Sequence, residues 1–211
     1  MKAERVGRGF SAQERRVLSA LETPLQVQEF LNGLPYSADK FARSPRSVLR
    51  DRKANCYDGA LFAACALRRL GHPPLLVDMR AVRDDDHVLA VYRRRGLWGA
   101  VAKSNFVGLR FREPLHRDLH ELAMSYFEDY FNEVGEKTLR SYSTPVDLSR
   151  HDRLEWMTRD EGLDDLAGYL DRARHVALLS ARQERELAPV DARSLKAGMV
   201  GTVRAGLYKV R

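Results

Sequence analysis

The sequence predicts an α+β fold: a helical N-terminal region, a cysteine-bearing central helix packed on a small antiparallel β-sheet, and a helical C-terminal extension. Three observations predict it. Apolar residues recur at helical spacing through the first fifty residues and again after residue 115. A stretch rich in alanine and leucine follows Asn55 with the signals of a capped helix. Between residues 75 and 102, three short segments rich in β-formers alternate with turn residues.

The elements follow in chain order. Val17, Leu18 and Leu21 form one apolar stripe, and Leu25, Phe30, Leu31 and Leu34 form a second after Thr23-Pro24, where proline suits a first helical turn. Leu34-Pro35-Tyr36 breaks the pattern, and Ser44-Pro45-Arg46 opens a short helix through Val48 and Leu49. The central helix runs over residues 56–70, with Asn55 as N-cap, Asp58 in the first turn and Gly71-His72-Pro73-Pro74 as its stop. Extended segments are expected at 75–79, 87–92 and 97–102, with Asp84-Asp85-Asp86 as one turn and Arg93-Arg94-Arg95-Gly96 as a hairpin tip. Leu115, Leu119, Leu122, Tyr126, Phe127 and Tyr130 predict an amphipathic helix with a buried stripe. Residues 160–187 predict another, and residues 199–203 and 207–210 read as two short strands. Residues 1–150 form the expected core unit with its N-terminal helices, and 151–211 the C-terminal extension.

A chain of 211 residues, 44% apolar and 31% charged, suits one domain of ordinary size with a substantial core. No apolar run is long enough to span a bilayer, and the charged N-terminus over residues 1–8 has no signal-like apolar stretch. Cys56 and Cys65 lie on one helix, on opposite faces and roughly 13 Å apart along its axis, too far for a disulfide. Free thiols without a signal predict a cytoplasmic setting. The net charge of +7 comes from 36 basic residues spread among 29 acids. No aromatic, zinc-finger or helix-turn-helix pattern accompanies it, so solvated surface charge is expected and no specific nucleic acid.

The chemistry centres on Cys56 and His87. A thiol at a helix start, with a histidine at the head of a nearby strand, is the pairing a cysteine nucleophile needs. The helix dipole and an adjacent imidazolium would depress its pKa and favour thiolate. Cys65, among Ala63, Ala64 and Leu67, reads as core. His116 and His120 stand four apart on one predicted helix face with no acidic or cysteine ligand to complete a metal site.

Residues 45 to 106 resemble the transglutaminase-like branch of the papain-type cysteine enzymes. The resemblance rests on Cys56-Tyr57-Asp58-Gly59-Ala60 opening a helix and on the helix end and next strand, Leu67 to Val77. It continues through Asp86-His87-Val88-Leu89-Ala90-Val91-Tyr92 to Gly96-Leu97-Trp98-Gly99-Ala100-Val101. It implies a cysteine-dependent acyl-transfer or amide-hydrolysing enzyme, with Cys56 as nucleophile, His87 as base, and no cofactor or metal. The family's third residue, usually an aspartate, falls here on Ala102. Of the polar neighbours, Lys103 cannot accept a hydrogen bond, and Asn105, ahead of Ser104, is expected to orient His87. The Cys56 main-chain N–H supplies one oxyanion donor. Expected partners are a protein, peptide or small-molecule acyl or amide substrate, an acidic one suiting the basic chain, and no membrane. The alternatives are a catalytically silent member of the fold that binds a protein or peptide, and a basic nucleic-acid-associated protein.

Overall fold

Side-chain caps start the helices of the first half. In the structure, a computed structural model that describes residues 9–210, Ser11, Thr23 and Ser44 stand in extended backbone. Each accepts a hydrogen bond from a main-chain N–H of the next turn, opening α1 (Ala12–Ala20), α2 (Pro24–Asn32) and α3 (Pro45–Asp51). Asn55 caps α4 (Cys56–Arg69) reciprocally with Asp58, as the sequence predicts. The charged segment at residues 1–8 lies outside the described residues.

Seven strands form one antiparallel sheet: β1 (Leu75–Ala81), β2 (His87–Arg94), β3 (Leu97–Val101), β4 (Arg112–His116), β5 (Leu139–Ser143), β6 (Val146–Asp147) and β7 (His175–Ala177). Their order is β4-β3-β2-β1-β5-β7, with β6 pairing onto the start of β1. Arg94 lies opposite Leu97, so Arg95 and Gly96 are a two-residue turn, both at positive φ (53° and 83°). That is the basic hairpin tip read from the sequence, and its backbone twist matches the strands it joins.

Strand alternation divides the core. Val88, Ala90 and Tyr92 of β2 face a cluster that includes Leu61, Phe62 and Leu67 of α4 and Leu163, Leu166 and Leu170 of α6 (Leu163–Asp171). Leu89 and Val91 face the opposite cluster, with Leu109, Tyr126, Phe127 and Tyr130. Helices therefore cover one face of the sheet, and short helical turns and loops cover the other. No helix of the described residues is long and apolar enough to cross a membrane.

Three expectations are corrected. The stripe from Leu115 to Tyr130 is not one helix. It is the end of edge strand β4, then α5 (Leu119–Met124), then a 3₁₀ turn (Phe127–Asp129). Leu115 points outward, 70% exposed, because an edge strand buries alternate residues only. The stretch 160–187 divides into α6, β7 and α7 (Ala181–Arg185). Val176 pairs opposite Tyr142 at the sheet edge, so tertiary pairing overrides the helical pattern there. Residues 199–203 and 207–210 are not strands. They flank a 3₁₀ turn, Arg204–Gly206, that follows α8 (Ala192–Gly198).

Candidate active site

The thiol is placed by the start of α4. Asp58, fully buried, accepts from the main-chain N–H of Asn55 at 3.2 Å and from that of Arg43 at 2.7 Å. The Arg43 guanidinium, itself buried, stands 3.6 Å from the Asp58 carboxylate and also bonds Ser37, Asp39 and Asp51. One arginine thus holds the loop before α3 against the first turn of α4. Burial raises the Asp58 pKa, and the Arg43 main-chain and side-chain bonds oppose that rise. Tyr36 is brought alongside by a parallel bridge to Ala54, two residues before the thiol.

Cys56 and His87 line the same narrow cavity, about 40 Å³, with Tyr36, Asp85, Ser104, Asn105, Leu109 and Tyr130 among its other walls. Cys56 is part-exposed and Cys65 is buried in the core. The Cys56 Sγ donates to the main-chain carbonyl of Asp86 at 3.9 Å. Its pKa is pushed up to about 11, first by burial and then by the Asp85 and Asp58 carboxylates, against the helping N–H groups of Val88 and Tyr57. The depressed thiol expected from the helix dipole is therefore corrected: desolvation and two carboxylates outweigh a terminal partial charge that is worth about 0.3–1 kcal/mol.

His87 stands at the head of β2, 4% exposed. Its Nε2 lies 2.9 Å from the main-chain carbonyl of Leu109. A carbonyl can only accept, so Nε2 carries the proton and Nδ1 keeps its lone pair. Burial, with a further push from Arg112, lowers the imidazole pKa to about 4. The pair is a neutral thiol and a neutral imidazole, and no hydrogen bond joins them. The loop between β1 and β2, where the sequence places a turn, is pinned by the Tyr130 hydroxyl on the Asp85 carbonyl, by Thr138 on Asp84 and by the Ala81 N–H on Asp86. That pinning fixes where β2 begins, and with it His87.

Asn105 does not orient His87. Its Nδ2 donates to the carbonyls of Val203 at 3.0 Å and Gly206 at 3.1 Å, and its Oδ1 accepts from the Val203 N–H at 2.8 Å. After β3 ends at Val101 the chain turns away from the imidazole: Ala102 pairs through its main chain with the Gln28 side chain, and Lys103 Nζ with the carbonyls of Leu31 and Leu34. The imidazole is held instead by the Leu109 carbonyl. Ser104 accepts from the Phe106 N–H, and Asp78 pairs with His175 at 3.0 Å. The His116–His120 pair is also dissolved, His116 lying on β4 against the Trp98 carbonyl and His120 on α5 beside Tyr142.

The sequence reading missed four contributors. Tyr36 lines the cavity, and burial, then the nearby Cys56 and Asp85, keep its hydroxyl neutral and able to donate. Leu109 acts through its main chain, which no side-chain pattern reveals. Gly206 and Tyr208 arrive from more than a hundred residues downstream of both Cys56 and His87 to line the cavity. Only the bridge of Tyr36 to the residues before Cys56 had a local signal, the Leu34-Pro35-Tyr36 break.

No family model matches the chain, and no curated protein matches it. Among solved structures, Legionella pneumophila LapG aligns at 15% identity over 49% of this chain and 73% of that one, with a TM-score of 0.36. The EGTA-treated form of LapG aligns at 15% identity over 49% and 70%, with a TM-score of 0.35. At that level the likeness is a distant one of fold over half of this chain, and it assigns no residue and no reaction.

Proposed function

We propose that the protein is a cysteine-dependent acyl-transfer or amide-hydrolysing enzyme of transglutaminase-like type, with Cys56 as nucleophile and His87 as general base. The observation that carries the reading is the convergence of the first residue of α4 and the first residue of β2 on one cavity. The Leu109 carbonyl replaces the family's third side chain as the group that orients the imidazole.

The chemistry follows from the protonation states. With Nε2–H held by Leu109, Nδ1 is the free lone pair that takes the thiol proton as Sγ attacks an acyl carbon. This is base-assisted attack from a neutral pair, not attack by a standing thiolate. The tetrahedral oxyanion would face the Cys56 main-chain N–H, which has no partner inside the helix, and the Tyr36 hydroxyl. Collapse expels the amine, which takes the proton back from His87 and leaves a thioester for water or a second amine. Free thiols suit a reducing compartment such as the cytoplasm.

A second reading is a silent fold that binds peptide. It is favoured by the raised thiol, the lowered imidazole and the missing bond between them. Acid quenching during incubation with a panel of peptide amides, followed by intact mass and peptide mapping, separates the two. A thioester mass on Cys56, absent in Cys56→Ala and reduced in His87→Gln, is expected. Peptide binding with no adduct and no cleaved amide would hand the site to the second reading.

A further inference from the structure

The Cys56 cavity is walled in part by residues from the last stretch of the described chain. Gly206 and Tyr208, which follow α8, are part of its lining. The packing is tight at one point: a Cβ on Gly206 would sit 2.8 Å from the Tyr36 ring. It is held at another by Asn105, whose amide bonds both the N–H and the carbonyl of Val203 and adds the carbonyl of Gly206.

The pattern of those bonds matters. A side-chain amide has one acceptor and a two-hydrogen donor, and here both ends engage main-chain atoms of another segment. Such a grip reads the polypeptide backbone whatever its side chains. No residue between 181 and 210 is buried. The segment is fastened by the Val190 N–H on the Gly135 carbonyl and the Val107 N–H on the Gly198 carbonyl, both at 2.9 Å, and by the half-buried Leu187, Val190, Leu195, Met199 and Leu207 laid on the core.

We propose that the cleft beside Cys56 is a peptide-binding groove in which Asn105 grips a substrate's main chain, and that residues 203–208 occupy it in cis as a displaceable strap. The proposal rests on Cys56 and His87 as the reactive pair and names both the substrate class, a polypeptide, and the regulation of the site. Displacing or cutting the strap exposes the thiol and vacates the grip for a chain in trans.

Alkylation of Cys56 by iodoacetamide in the full chain, resolved by peptide mapping, tests it, with buried Cys65 as the internal control for unfolding. In Gly206→Val the added side chain meets Tyr36, so the strap should lift and Cys56 labelling rise at least about tenfold with Cys65 unchanged. A synthetic peptide of the chain's own sequence 202–208 should then restore protection. It should fail to do so when Asn105→Ala is added. Unchanged Cys56 labelling in Gly206→Val, or peptide protection that survives the loss of Asn105, would overturn the proposal. Should Cys65 also open, a protease site inserted at Gly201, where nothing lies within 4 Å of an added Cβ, carries the test in the otherwise native chain. Cutting it must raise Cys56 labelling, and no rise would overturn the strap. Labelling reads access and not turnover, so an exposed Cys56 that forms no thioester would overturn the enzymatic reading and leave the strap standing.

Discussion

The two walls of the Cys56 cavity are held by different forces. The wall that bears the proposed reactive pair is α4 and the head of β2, and ten of the fourteen residues of α4 are buried. The other wall is the C-terminal strap, which buries none and is fastened by the amide of Asn105 and a few half-buried side chains. The first wall is packed into the core. The second belongs to the low-stability end of the molecule and can leave by local opening. A reactive group placed by the core and covered by a surface segment can be switched without disturbing the fold.

The largest contrast is in activity. Cys56→Ala should abolish thioester formation and lower amide cleavage at least about a thousandfold, while thermal unfolding stays close to that of the native chain. Retained cleavage would move the chemistry to another part of the molecule.

Stability separates the walls next. A Cβ on Gly59 would lie 2.3 Å from the Cβ of Lys103, close to backbone that cannot swing away. Gly59→Ala should therefore cost about 2–3 kcal/mol in urea unfolding, although alanine is the better helix former. Gly201→Ala, just before the strap, at φ +72° in open space, should change global stability by about 1 kcal/mol or less. Equal effects would erase the distinction between the walls.

Titration gives a third test. Burial holds His87 neutral down to about pH 4, whereas the unfolded imidazole takes a proton near 6.5. Between those values the unfolded state binds more protons, so the His87 contribution is complete above pH 6.5 and is lost as pH falls toward 4. Asp78 and Asp84, both raised to about 6 by burial, work in the opposite direction over much of the same interval. The difference between the native chain and His87→Gln removes them. It should shift by roughly 3 kcal/mol in favour of the variant from pH 6.5 to 4. A pH-independent difference would mean that His87 is not held neutral.

How far these features could be read from sequence follows the same division. The cap at Asn55, the helix it opens, the strand headed by His87 and the Arg95-Gly96 turn are local patterns, and each is found where the residues place it. Asn105 was legible as a polar residue near the site but not in its role, because its partners lie about a hundred positions away in a segment with no strand or helix pattern. The thiol's raised pKa was illegible for a related reason. The helix dipole is local, whereas burial and the carboxylate of Asp85 come from tertiary packing. The orienting Leu109 carbonyl is a main-chain atom that every residue possesses.

A small effect is also expected at Ser104, whose hydroxyl accepts from the Phe106 N–H. Ser104→Ala should cost about 0.5–1.5 kcal/mol and leave turnover unchanged, and a loss of turnover would give Ser104 a part in holding His87.

The neutral resting pair is most directly tested by the pH dependence of Cys56 alkylation in the full chain, mapped separately from Cys65. The account predicts a rate that climbs steadily through pH 9 and 10 without levelling, following a thiol near about 11. A rate that levels off below about pH 7 would mark a standing thiolate–imidazolium pair and contradict it.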